Sequence, residues 1–324
     1  MTAAARIAAF VGLLVVVFAA ASLAGAEVDP SVDSSAHDDA EMADSRSHQT
    51  DTNDAADAET HQSVSAVASS ETLPGLAVAQ SGYRLVPAQT EMQAERERFS
   101  FRIVDADGAV VEDFDVEHER RMHLIVVRRD FVNFQHVHPR QLVDGTWQVE
   151  VDFAPAGVYR VFADFSAEGT SLTLATDVFA SGEFRSTPLP LARATADAGN
   201  GYEVSIESHG TKAGASTPVQ FTVSRAGREL DSVEPYLGAD GHLVALREHD
   251  QAYLHTHPQG EAGGTGPISF EVEYPTPGRY RLFLQFRHGG AVRTAAFTEA
   301  IATDADQTAP AGAAPASGGE HGHE

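Results

Sequence analysis

The stretches MHLIVVRRDFVNFQHVHP (122–139) and GHLVALREHDQAYLHTHP (241–258) align without a gap. His123 falls on His242, Leu124 on Leu243, and Arg128 on Arg247. His136, His138 and Pro139 fall on His255, His257 and Pro258. The likeness extends outward from both blocks. Upstream, Phe101 in FRIVDADG aligns with Phe221 in FTVSRAGR; downstream, GVYRVFADF (157–165) matches GRYRLFLQF (278–286). A chain that matches itself over this length carries a tandem duplication.

What each copy folds into follows from the period of its apolar residues. Segments such as WQVEVDF (147–153), VYRVFADF (158–165), YEVSIES (202–208), PVQFTVS (218–224) and ISFEVEY (268–274) alternate apolar and polar positions. Residues two apart on an extended chain share a face, so each segment reads as a strand with one buried side. Turn pairs separate them: Asp107-Gly108, Asp144-Gly145, Ala226-Gly227, Asp240-Gly241 and Pro277-Gly278. Short strands with turns at this spacing, and no helical period between them, predict an all-β chain. Each copy has the length of an immunoglobulin-like β-sandwich, so two such domains in tandem are expected, at 76–182 and 200–301. A Pro- and Ala-rich linker, 183–199, joins them.

The ends differ from the middle. Arg6 precedes an uncharged apolar run, Ile7 to Ala21, and Ala24-Gly25-Ala26 follows with a small-x-small pattern. Residues 1–26 therefore read as a secretory signal peptide, with an uncleaved N-terminal anchor as the alternative, and as the only route to a membrane. Residues 27–75 are acidic and poor in large apolar side chains, the composition of a disordered linker. Residues 302–324 form an Ala/Gly-rich tail ending His321-Gly322-His323-Glu324. Either reading of the N-terminus places the protein outside the cytoplasm, secreted or in the cell envelope.

Composition removes several classes of function. The chain has 324 residues, no cysteine and a formal charge of −25. Disulfides, thiolate metal sites and cysteine nucleophiles are excluded. An acidic surface repels phosphate backbones, which argues against nucleic acid as a partner. No nucleophile elbow, phosphate-cradling loop or His-Glu-x-x-His motif occurs, so no enzyme is expected. His255-x-His257 with Glu261 has the spacing of the cupin metal core. The first copy has no matching Glu, however, and the glycine that pattern requires before the first His is missing.

The histidines carry what chemistry remains. His136 and His138 share a strand face, as do His255 and His257, and His123 or His242 opens a neighbouring strand. Three imidazoles from two strands suit Cu(II), Zn(II) or Ni(II). With only four methionines in the chain, a thioether Cu(I) site is disfavoured. The expectation is one three-His site per repeat, built from His123, His136 and His138 and from His242, His255 and His257. Cu(II) is the leading ion and Zn(II) the alternative. The competing reading makes these imidazoles structural, bonded to backbone groups at the sandwich end, in a cell-envelope module that binds a protein partner. His118, His249 and His288 occur in one copy each and read as surface residues. Tyr159 and Tyr280, each after a Gly turn, read as tyrosine corners, and Trp147 as core.

The block HLIVVRRDF…FQHVHP resembles that of secreted bacterial proteins described as heavy-metal-associated. The likeness covers the two His blocks and the strand pair after each, about a third of the chain. It implies a copper-handling role outside the cytoplasm, with candidate ligands at the same six histidines.

Overall fold

The computed structural model describes residues 73–208, 212–260 and 262–302. The signal segment, most of the acidic linker, the tail beyond Ala302 and Glu261 of the cupin comparison lie outside the described residues.

The first copy contains ten strands. They are β1 (Ala79–Gln80), β2 (Tyr83–Pro87), β3 (Glu91–Gln93), β4 (Arg96–Val104), β5 (His123–Arg128), β6 (Gln135–Val137), β7 (Arg140–Gln141), β8 (Trp147–Asp152), β9 (Gly157–Ala167) and β10 (Thr170–Ser181). One sheet runs β1-β2-β4-β8-β7 and the other β3-β10-β9-β5-β6. Every pairing is antiparallel except β3 with β10. Two such sheets around one core make the immunoglobulin-like sandwich.

The second copy repeats the plan. Its strands are β11 (Thr195–Gly199), β12 (Tyr202–Ser208), β13 (Ser216–Arg225), β14 (Arg228–Glu229), β15 (His242–Arg247), β16 (Tyr253–Leu254), β17 (Thr256–Gln259), β18 (Ile268–Glu273), β19 (Gly278–His288) and β20 (Ala291–Ile301). The sheets run β11-β12-β13-β18-β17, with β14 on β13, and β16-β15-β19-β20. β11 occupies 195–199, which the composition assigned to the linker. Its Ala- and Asp-rich sequence hides a strand that the Asn200-Gly201 turn, with φ of 53° and 77°, folds onto β12. Both residues in the left-handed region is the type I′ hairpin geometry.

The tyrosine corners form in both copies. Tyr159 donates its hydroxyl to the Pro155 carbonyl at 2.8 Å, and Tyr280 donates to the Thr276 carbonyl at 2.7 Å. Each pins the entry to the long strand β9 or β19 that opposes β5 or β15.

β5 explains how the copies meet. Its run HLIVVR is buried at every position, which a strand covered on both faces requires. Leu124 and Val126 point into the first copy's own core. Ile125 and Val127 point the other way and join Phe131, Phe162, Ala175, Val244, Leu246, Tyr253 and Phe283 in a third apolar cluster. In the second copy Leu243 and Ala245 face the internal core while Val244 and Leu246 face the first copy. The two sandwiches therefore pack through matching sheets. Phe134 stacks on Phe283 with ring centroids 4.0 Å apart, and the equivalent Tyr253 meets Phe162 at 5.7 Å. Matching residues in exchanged roles are the mark of an approximate two-fold relation between copies.

Candidate metal centre

His123 begins β5, where it faces Asp164 of β9 in register, and His136 in β6 sits opposite Ile125. These pairings bring one ring nitrogen each from His123, His136 and His138 to within 4.8 Å of one another. Nδ1 of His123 lies 3.0 Å from Nε2 of His136. The remaining nitrogen of each ring is already committed. Nε2 of His123 is 3.1 Å from the Glu117 carbonyl oxygen, and Nδ1 of His136 is 2.8 Å from Oε1 of Gln285. Gln285 is oriented by its own amide, which donates to Oγ1 of Thr294 at 3.3 Å.

Those contacts assign the protons. A carbonyl oxygen only accepts, so the neutral His123 carries its proton on Nε2 and the neutral His136 on Nδ1. In that pair of tautomers the two nitrogens that meet at 3.0 Å are both acceptors, whereas the other tautomer of His123 would donate Nδ1–H to His136. Burial, followed by unlike contributions from neighbouring groups, pushes the imidazoles down: His123 to about 4, His136 to about 3 and His138 to about 4. At neutral pH all three rings are therefore uncharged. Nε2 of His138 is buried with no hydrogen-bond partner.

The second copy contributes to the same place. His242 lies on the cluster, its ring 4.6 Å from that of His136 and stacked at 29°, and 5.7 Å from that of His123. Burial lowers its pKa, and its Nε2 also has no partner. His118, assigned to the surface from the sequence, is exposed but stands at the rim, 6.0 Å from His123 and 5.8 Å from His242 by ring centroids. A surface groove that includes Arg120, Tyr236 and Arg287 reaches His136 and His138 from solvent.

The expected second site does not assemble. Among the described residues the only three-donor group is that of His123, His136 and His138, and His242, His255 and His257 do not converge. Val137 bonds through its backbone to β5 opposite Leu124, holding His136 and His138 against that strand. The matching residue is Thr256, whose hydroxyl donates to the Leu243 carbonyl at 2.7 Å. That bond replaces the ladder, β16 ends at Leu254, and the chain crosses to β18, where His257 faces Glu271. His255 and His257 are left exposed in a groove with Tyr253 and Glu273.

Sequence reasoning missed Gln285. It aligns with Asp164 in the strands 157–165 and 278–286, outside the His blocks, and nothing in those strands announces a contact with the other copy. Asp164 accepts a bond from Thr173 Oγ1 at 2.7 Å, and burial raises its pKa to about 6.

The profile of a family described as a domain of unknown function, DUF8832, matches residues 78–182 and again 194–303. No curated protein matches the chain. Among solved structures the chain is similar to FdeC, an adhesin of Escherichia coli, at 12% identity over 68% of this chain and 65% of that one, with a TM-score of 0.23. It is similar to alpha-2-macroglobulin of Salmonella at 14% identity over 71% of this chain and 15% of that one, with a TM-score of 0.24. The chain thus spans less than two thirds of either. Likeness this loose carries no argument about function. Among the described residues no helix is long and apolar enough to cross a membrane.

Proposed function

The chain belongs to the DUF8832 family, a domain of unknown function present here in two copies, and from that premise we propose that it is an exported, non-enzymatic protein that binds a divalent transition-metal ion through His123, His136 and His138. The observation that carries this reading is the convergence of three imidazole nitrogens, with His123 Nδ1 and His136 Nε2 3.0 Å apart. Two unprotonated nitrogens at that distance repel unless a cation lies between them. Metal–nitrogen bonds of ~2.0–2.1 Å at angles between square and tetrahedral put ligand nitrogens roughly 2.9–3.4 Å apart, so the spacing suits an ion. His138 offers a third, unspent nitrogen. The Glu117 carbonyl and Gln285 bond the far side of two rings, the outer support that orients ligating imidazoles. An all-imidazole set without thiolate favours Cu(II) first and Zn(II) second. Export rests on the signal-like segment at 1–26, and the solvent groove beside Tyr236 supplies an entry path.

Calorimetric titration of the full chain with Cu(II) and with Zn(II) tests the reading. Saturable uptake of one ion per chain is expected. It should disappear when His136 and His138 are both changed to Ala, and persist when His255 and His257 are. No saturable uptake, or loss in the second pair instead of the first, overturns it.

A second reading keeps the histidines structural, in a cell-envelope spacer or partner-binding module. The bond from His136 to Gln285 favours it, because that contact joins the copies directly, side chain to side chain. Under this reading His136→Ala lowers the melting temperature, and metals leave the melting curve of the native chain where it was.

A further inference from the structure

The second copy supplies no member of the three-donor group, yet it surrounds that group. Gln285 is buried and accepts the proton of His136 Nδ1 at 2.8 Å. His242 covers the same ring. The apolar cluster that joins the sandwiches continues from this point through Val244, Phe283 and Phe134. Resting on the metal reading above, we propose that the ion fastens the two sandwiches together, with Gln285 the positioning residue through which the second copy controls the site in the first.

The coupling has a defined chemical basis. His136 can direct Nε2 at the cluster as a lone pair only while its proton stays on Nδ1, and the Gln285 oxygen holds it there. When the copies separate, that acceptor leaves, water competes for Nδ1, and the ring is free to turn. Docking therefore raises affinity for the ion, and by linkage the ion strengthens docking by the same factor. The duplication also gains a meaning. One copy keeps the His-x-His strand in register, while the other, diverted by Thr256, supplies Gln285 and His242 as the outer wall.

The test uses the full chain and two variants, Gln285→Leu and Gln285→Glu, titrated with Zn(II). Leu removes the acceptor and should weaken binding at least tenfold; Glu keeps an acceptor at the same place and should restore it to the native value or tighter. A merely structural role for Gln285 predicts that buried Glu is no better than Leu. Hydrogen exchange of the native chain with and without Zn(II) gives an answer even if the Leu variant does not fold. Slower exchange in β15 and β19 of the second copy, which hold none of the three donors, is expected. Equal affinity in both variants, or protection confined to β5 and β6, overturns the clamp while leaving the metal site standing. No Zn(II) or Cu(II) uptake by the native chain overturns the metal reading itself.

Discussion

His123, His136 and His138 are held as neutral imidazoles by burial, and the fold refuses them the protons that an unfolded chain would accept. Free imidazoles titrate near ~6.5, whereas these lie at about 4, about 3 and about 4. Between those limits the unfolded state binds more protons, so stability is full above the free value and falls as pH drops toward 4. Asp164 works in the opposite sense: with its pKa raised to about 6, it binds a proton in the fold before it would unfolded, and so gains stability as pH falls through that value. Three histidines outweigh one carboxyl. For metal-free protein we expect a net loss of about 4 kcal/mol between pH 7.5 and 5, with the buried His242 acting in the same sense, read by urea unfolding at each pH. A flat profile would mean that the cluster accepts protons as readily as free histidine does. The six histidines were legible in the sequence because both blocks keep them in register. The first set was expected to converge and does; that the second set does not was not legible, since it turns on Val137 against Thr256. One residue continues a backbone ladder opposite Leu124, and the other spends a side-chain hydroxyl on the Leu243 carbonyl.

At the scale of single strands, the period-two segments and the Gly turns were enough to predict sandwiches, because alternation reports one buried face per strand. The same logic applied to LIVV in β5 explains why the strand between His123 and Arg128 carries no polar position: both its faces are covered. The partner covering the outer face lies far along the chain, and no local period names it. The tyrosine corners are a strand-entry device that spacing did reveal. Tyr159 and Tyr280 are fully buried, and each hydroxyl closes the loop before its strand onto a carbonyl. Removing the hydroxyl leaves the Pro155 or Thr276 carbonyl without that donor. Tyr159→Phe and Tyr280→Phe should each cost about 1–2 kcal/mol by denaturant unfolding, with little change in the ring packing. Loss in one copy only would assign the corner a role the duplication did not preserve.

Across the whole molecule, the interface between the copies decides whether they behave as two domains or one. Its apolar cluster draws on β5, β9 and β10 of the first copy and on β15, β16 and β19 of the second, and it belongs to neither internal core. Leu246 is the residue to probe, because it is fully buried yet faces only across the interface. Leu246→Asp places a carboxylate in that apolar cluster, opposite Arg281 of β19, and even an ion pair there keeps charge out of water. The cost of burying it falls on docking, since separation returns the group to water. Each sandwich keeps its own cluster of large apolar residues, so each remains folded. Calorimetry should therefore show one transition for the native chain and two for Leu246→Asp, with the urea m-value reduced because less surface is exposed in each step. A variant that still melts in one step would mean that the copies are coupled through the connecting segment rather than through this face. The docked arrangement would then be no condition for the histidine cluster to form.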